Sequence, residues 1–199
     1  MADAGIQNSH IVEKERAMLA AVDLVVVKMI EHFAKGKPLT VEASNTMVEL
    51  LNAAILKVGG VAVEMQVGVE AVPTYFEEAL IATRMLSNRL SALEVNVKAV
   101  QNHVKGRVRD YKRYVRFKSN ALRNEPEVKK CRLAGDKKAL VDSWMEEELE
   151  LLDAHYALEE AVVGLAEIVV DKIRLVTMTA KDLKAQYVAV PANQRRFLD

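Results

Sequence analysis

One repeat constrains this chain more than any other feature. Apolar side chains fall at Leu86, Leu90, Leu93, Val97, Val100, Val104, Val108, Tyr111 and Val115, in steps of 4, 3, 4, 3, 4, 4, 3 and 4. Alternating steps of three and four make a heptad seam, and the doubled four at Val104–Val108 is a stutter. Only Gly106 interrupts it, inside the stutter. A Thr74-x-x-Glu77 capping box directly after Pro73 marks its start. The resulting helix is on the order of 60–70 Å long at about 1.5 Å per residue. Such a helix is unstable alone in water, so its seam must meet another helix.

A partner lies further along the same chain. Asn124–Gly135, which contains Pro126 and Gly135, breaks the repeat. Asp136 then caps a second long helix reaching about Tyr187, with apolar positions at Val141, Met145, Leu149, Leu152 and Tyr156. These continue at Leu158, Val162, Leu165, Val169, Ile173 and Val176. Two long helices joined by a short connection form an antiparallel hairpin.

Upstream, Ile11–Ala34 reads as a helix stopped by Gly36 and Pro38. Thr40 caps a second helix that ends at Lys57 or Val58, before Gly59–Gly60. Between Val61 and Val72 the apolar residues alternate with a period of two, the signal of a short strand. That strand has no partner elsewhere in the chain. It either pairs with its copy in another subunit or is helical after all.

The expected fold is therefore all-α: a long helical hairpin or coiled coil with an additional N-terminal helix pair and a short strand at 61–72. The expected organisation is 1–72 for the N-terminal pair and its connection, 73–188 for the hairpin, and 189–199 for a loosely held tail. The composition agrees, with 51% hydrophobic residues but only 5% aromatic. Val and Leu on several faces, as at Val162, Val163, Ile168, Val169 and Val170, offer more surface than one helix covers, so a homo-oligomer is expected. The sole cysteine, Cys131, excludes an internal disulfide and fits a reducing cytoplasm. The N-terminus lacks the basic and apolar regions of a signal peptide. The most apolar stretch, Leu19–Ile30, is too short to span a bilayer and contains Asp23 and Lys28. A cytoplasmic protein without membrane association is expected.

The net charge is zero, yet charge is sharply segregated. His103–Leu140 holds thirteen basic residues against four acids, a net of +9. Asp142–Asp171 holds ten acids and no Lys or Arg. The basic arm either pairs with the acidic arm or binds an external polyanion. Arginine is frequent in the tract and suits bidentate phosphate contact. The candidate nucleic-acid contacts are Lys105, Arg107, Arg109, Lys112, Arg113, Arg116, Lys118, Arg123, Lys129, Lys130 and Arg132. Tyr114 and Phe117 are the stacking candidates, while Tyr111 belongs to the seam. Nothing in this set reads base edges, so affinity without strong sequence preference is expected, falling steeply with salt.

No P-loop, GxGxxG or HExxH is present, and His10, His32, His103 and His155 lack metal-ligand spacing. The acids of Glu146–Glu150 read as a solvated helix face. No catalysis, cofactor or metal is expected.

Two stretches of the C-terminal half resemble the phage recombination mediators of the UvsY type. In VKGRVRDYKRY, Val104–Tyr114, the residues Lys105 and Arg107 match that family's Lys-x-Arg pair, Val108 its apolar position, and Tyr111 approximately its tyrosine. PEVKKCRLAGDKKAL, Pro126–Leu140, resembles a second family stretch, followed in both by a long helix with a basic–apolar step, here Asp171–Arg174. The likeness covers about Val97–Leu183, needs a gap between the stretches and a shift in tyrosine register, and leaves residues 1–75 without counterpart. It implies a homo-oligomeric accessory protein in the host cytoplasm, without catalysis. Such a protein binds single-stranded DNA through Lys105 and Arg107. It also binds the single-strand-binding protein and a RecA-like recombinase, and helps load that recombinase. The rival expectation is a helical structural or assembly protein, a virion component or scaffold, whose basic arm docks on the acidic helix of a neighbour.

Overall fold

A computed structural model describes residues 3–36, 38–63 and 73–189. It contains α1 (Asp3–Ala34), α2 (Val41–Gly59), α3 (Pro73–Leu122), α4 (Pro126–Lys130), α5 (Ala134–Trp144) and α6 (Glu146–Ala189). The protein is all-α, and the described residues contain no strand. Val61–Val63 are irregular, and the rest of the period-two segment, residues 64–72, lies outside the described residues. So do the side chain of Thr74 and the tail beyond Ala189.

α3 has 50 residues and α6 has 44, or about 75 and 66 Å at 1.5 Å per residue. They run antiparallel. Phe76 near the start of α3 packs edge-on against Tyr187 near the end of α6, at a centroid distance of 6.2 Å. The Tyr187 hydroxyl donates to Glu77 Oε1 at 3.1 Å. At the opposite end Lys118 donates to Glu148. The seam is the contact line: Leu86, Leu90, Leu93, Val97, Val100, Val104, Val108 and Val115 are buried, and Tyr111 is half-buried.

The N-terminal pair lies alongside the middle of this hairpin. α1 runs parallel to α3, as shown by Asn96 Nδ2 donating to Asp23 Oδ1 at 2.7 Å and by Phe33 stacking on His103 at 5.6 Å. α2 runs parallel to α6, with Lys172 Nζ bonded to the Val61 carbonyl at 2.9 Å. A Cβ at Gly59 would sit 3.2 Å from Ile168 Cδ1, so the absent side chain lets the end of α2 approach α6 closely. One core joins all four helices, from Leu19, Val22 and Val26 through Leu51 and Val58 to Leu158 and Leu165.

The turn between α1 and α2 forms as expected. Gly36 takes φ 65° after α1, a left-handed conformation that favours glycine. Thr40 caps α2, its hydroxyl accepting from Ala43 N at 3.1 Å. α1 itself starts at Asp3, earlier than the expected Ile11.

A separate small core holds each end of the hairpin. The base has a small core of Phe76, Ala79, Ala82, Leu183 and Tyr187. The tip buries Val115, Val128, Val141 and Met145, with Tyr111, Leu122, Leu140, Leu149 and Leu152 packed around them. This tip corrects the expectation of one continuous helix from Asp136. Leu133 occupies the cap of α5 without a side-chain bond, and Asp136 sits in the first turn, where its charge complements the helix dipole. The helical run then breaks at Met145, which has φ −118° and ψ 19°. Its buried side chain enters the tip core beside Val141, so α5 can fold across the hairpin end. Tyr156 is also corrected: it is exposed, and Ala154 and His155 take the buried positions at that turn.

Candidate polyanion-binding tip

The geometry of α3 divides the basic tract into two flanks. Lys105, Arg109, Lys112, Arg116 and Arg123 follow one another at steps of 4, 3, 4 and 7. At 3.6 residues per turn these steps place the first four in one stripe, about 16 Å long on α3, which Arg123 continues just past the helix end. α6 covers the seam face, and α1 packs against the flank carrying Asn96 and His103. The stripe lies on the other flank, away from α1, and all five of its cations are exposed.

Internal neutralisation of these charges is sparse. Among the described residues, Lys118 alone of the tract forms an ion pair with the acidic arm, at Glu148. That hydrogen bond holds the Lys118 ammonium above its ordinary pKa and the Glu148 carboxyl below its own. Arg109 Nε meets its neighbour Asp110 at 3.4 Å, with both side chains largely exposed. The remaining tract cations have no ion pair among the described residues. Glu146, Glu147 and Glu150 stand exposed at the start of α6.

The other candidates are dispersed. Arg113 points between the flanks from the outer face of α3, by helical spacing. Lys129, Lys130 and Arg132 are exposed on and after α4, extending positive charge over the end of the tip. Phe117 is 76% exposed and Tyr114 is 48% exposed, so both are available for stacking. Neither lies on the stripe: Phe117 belongs to the outer face, and Tyr114 to the flank carrying Arg107. Arg107 is half-buried, and Lys118 shares its flank.

Two contributors escaped sequence reasoning. Tyr156 of α6 flanks the stripe, with Lys112 Nζ 5.9 Å from its ring centroid, a cation–π approach. The step of two between Tyr156 and Leu158 was the available signal, because it is not a helical step. His155, on the opposite side of the same turn, is 4% exposed and meets the Tyr111 ring edge-on at 5.0 Å. Burial pushes its pKa below the ordinary histidine value, and the Arg107 charge acts in the same direction, against an opposing pull from the Leu39 carbonyl.

No helix among the described residues is long and apolar enough to cross a membrane. Compared with family models, curated proteins and solved structures, the chain matches none.

Proposed function

We propose that this chain is a non-catalytic accessory protein that binds single-stranded nucleic acid through its helical tip. One observation carries the reading: four exposed cations in register on one flank of α3, continued by exposed Arg123 just past its end, with only Arg109 in an ion pair, to its own neighbour Asp110. A row of largely unneutralised cations, about 16 Å along α3 from Lys105 to Arg116 and continued by Arg123, is an electrostatic track for a phosphate backbone. The exposed rings of Tyr114, Phe117 and Tyr156 supply stacking surfaces that only unpaired bases can use. The likeness to UvsY-type mediators extends this to a homo-oligomer that acts in the host cytoplasm with a single-strand-binding protein and a RecA-like recombinase, assisting recombinase loading.

The test is a titration of labelled single-stranded and duplex oligonucleotides at two salt concentrations. Lys105→Glu, Arg109→Glu and Lys112→Glu together should weaken binding at least a hundredfold at low salt. They should also flatten the salt dependence by about three in the log–log slope, about one per lost phosphate contact. Absence of oligonucleotide binding by the wild-type chain at low salt would sink the reading.

Assembly is the second reading. Glu146, Glu147 and Glu150 are exposed and without ion pairs among the described residues, so a neighbour's stripe has an acidic surface to meet. In that case sedimentation would reveal self-association that salt disperses, with no affinity for oligonucleotides.

A further inference from the structure

The neck of the hairpin holds a cavity of about 440 Å³ on the flank opposite the stripe. Pro38 and Leu39 of the α1–α2 turn form one wall, Tyr111 and Tyr114 the other, and Arg107 and His155 also line it. The volume suits a small organic ligand. Its surfaces are mixed in a particular way: two aromatic rings and the aliphatic side chains of Pro38, Leu39 and Leu151, one guanidinium without an ion pair among the described residues, and an imidazole. Asp110 lies at the cavity too, its carboxylate facing Arg109 at 3.4 Å.

His155 is the anomaly. It is more than nine-tenths buried, and neither ring nitrogen forms a well-aligned hydrogen bond, the Leu39 carbonyl at the cavity wall giving it only a weak interaction. Buried polar groups are nearly always satisfied, and leaving one unsatisfied is costly. A ligand entering this cavity with a donor or acceptor edge would provide a well-aligned partner after a small adjustment of the ring.

A route connects the stripe to this cavity. At about 100° per residue, Arg116, Arg113, Phe117 and Tyr114 step round α3 at intervals of roughly 40–60°. They lead from the stripe, over the outer face, to the cavity. The first three are exposed and Tyr114 is about half exposed. Cation and aromatic thus continue across the helix, from phosphate track to pocket.

We propose that the neck cavity takes one unstacked nucleotide of a strand wrapped over α3, its base between Tyr114 and Leu39 and its phosphate on Arg107. The inference rests on the nucleic-acid reading for its choice of strand, and it makes the cavity the element that selects single strands. A duplex can lie on the stripe but cannot wrap half the helix and extrude a base without unpairing.

The experiment titrates the full chain with thymidine 5′-monophosphate, thymidine and inorganic phosphate, reading binding heat and the His155 imidazole NMR resonance. One monophosphate per chain should bind and move the His155 resonance, with thymidine and phosphate each at least tenfold weaker. His155→Phe should weaken monophosphate binding at least tenfold and His155→Gln less. His155→Phe should also cut the preference for single-stranded over duplex oligonucleotide at least fivefold, with duplex affinity within twofold of wild type. A His155 resonance unmoved at millimolar monophosphate overturns the proposal, and that result needs no variant to fold. Equal monophosphate affinity in wild type and His155→Phe overturns it as well. Oligonucleotides that bind with salt sensitivity while the monophosphate does not would remove the cavity site and leave the tip reading standing. Monophosphate binding without oligonucleotide binding would support the cavity and remove the tip reading.

Discussion

The middle of the hairpin and its tip share one seam but hold it differently. In the middle, α1 and α2 close the seam into a four-helix core dominated by Leu and Val, including Leu90, Leu93, Leu158 and Leu165 at 1% exposure or less. At the tip only α4 and α5 cover it, and the buried set shrinks to Val115, Val128, Val141 and Met145. Charge follows the same division, because the net +9 of His103–Leu140 begins where α1 ends against α3. Burial supports the first region. The second has less apolar surface to bury and carries crowded like charges, which repel in the folded state. A partner of opposite charge would relieve that repulsion, which links weak local stability at the tip to the proposed polyanion binding.

The sharpest way to break this comparison is a pair of core truncations. Leu90→Ala should cost about 2–5 kcal/mol and lower the midpoint of global unfolding. Val141→Ala should cost roughly 1–2 kcal/mol, with faster amide exchange in α4, α5 and the start of α6 only. Equal loss of exchange protection throughout the chain in Val141→Ala would show that the tip and the middle unfold as one unit.

Smaller changes sharpen the boundary between the regions. Thr40 caps α2 beside the neck, and Thr40→Ala should cost about 1 kcal/mol in denaturant melts, with oligonucleotide affinity unchanged. The least effect concerns pH. Burial lowers the His155 pKa in the fold, whereas the unfolded residue titrates near pH 6.5. As the pH falls through about 6.5 the unfolded chain takes up this proton first, so stability declines until the folded pKa is also passed. Melting temperature between pH 7.5 and 5.5 should therefore drop further in the wild type than in His155→Phe. Parallel curves would mean that His155 makes no separate contribution.

Much of the scaffold was legible because it depends on local rules. The heptad steps located α3, Gly36 and Pro38 stopped α1, and Thr40 opened α2 with the hydroxyl bond expected of a cap. The base-rich tract and the stretch free of Lys and Arg were equally plain. The break at Met145 was not legible, since Val141, Met145 and Leu149 keep helical spacing through it. It follows from tip residues distant in sequence, Val115 and Val128, which draw Met145 inward. Tyr156 and His155 exchanged roles for a similar reason: adjacent residues on a helix differ by about 100°, and only the position of α3 decides which one is covered.

The sequence by itself determined that the chain forms long helices, where the seam runs, and that positive charge gathers near the hairpin's turning end. Helical periodicity and charge order are properties of neighbours along the chain, so they can be read there. Tertiary structure alone decided that the tract separates into an exposed stripe and a neck flank, and that Lys118 is the tract residue paired with the acidic arm. It also decided that the α1–α2 turn closes a cavity over a buried His155 without a well-aligned hydrogen bond. Those outcomes depend on which helix lies against which flank, and that is fixed by burial between residues about seventy to one hundred and ten positions apart, as in Asn96–Asp23 and Lys172–Val61.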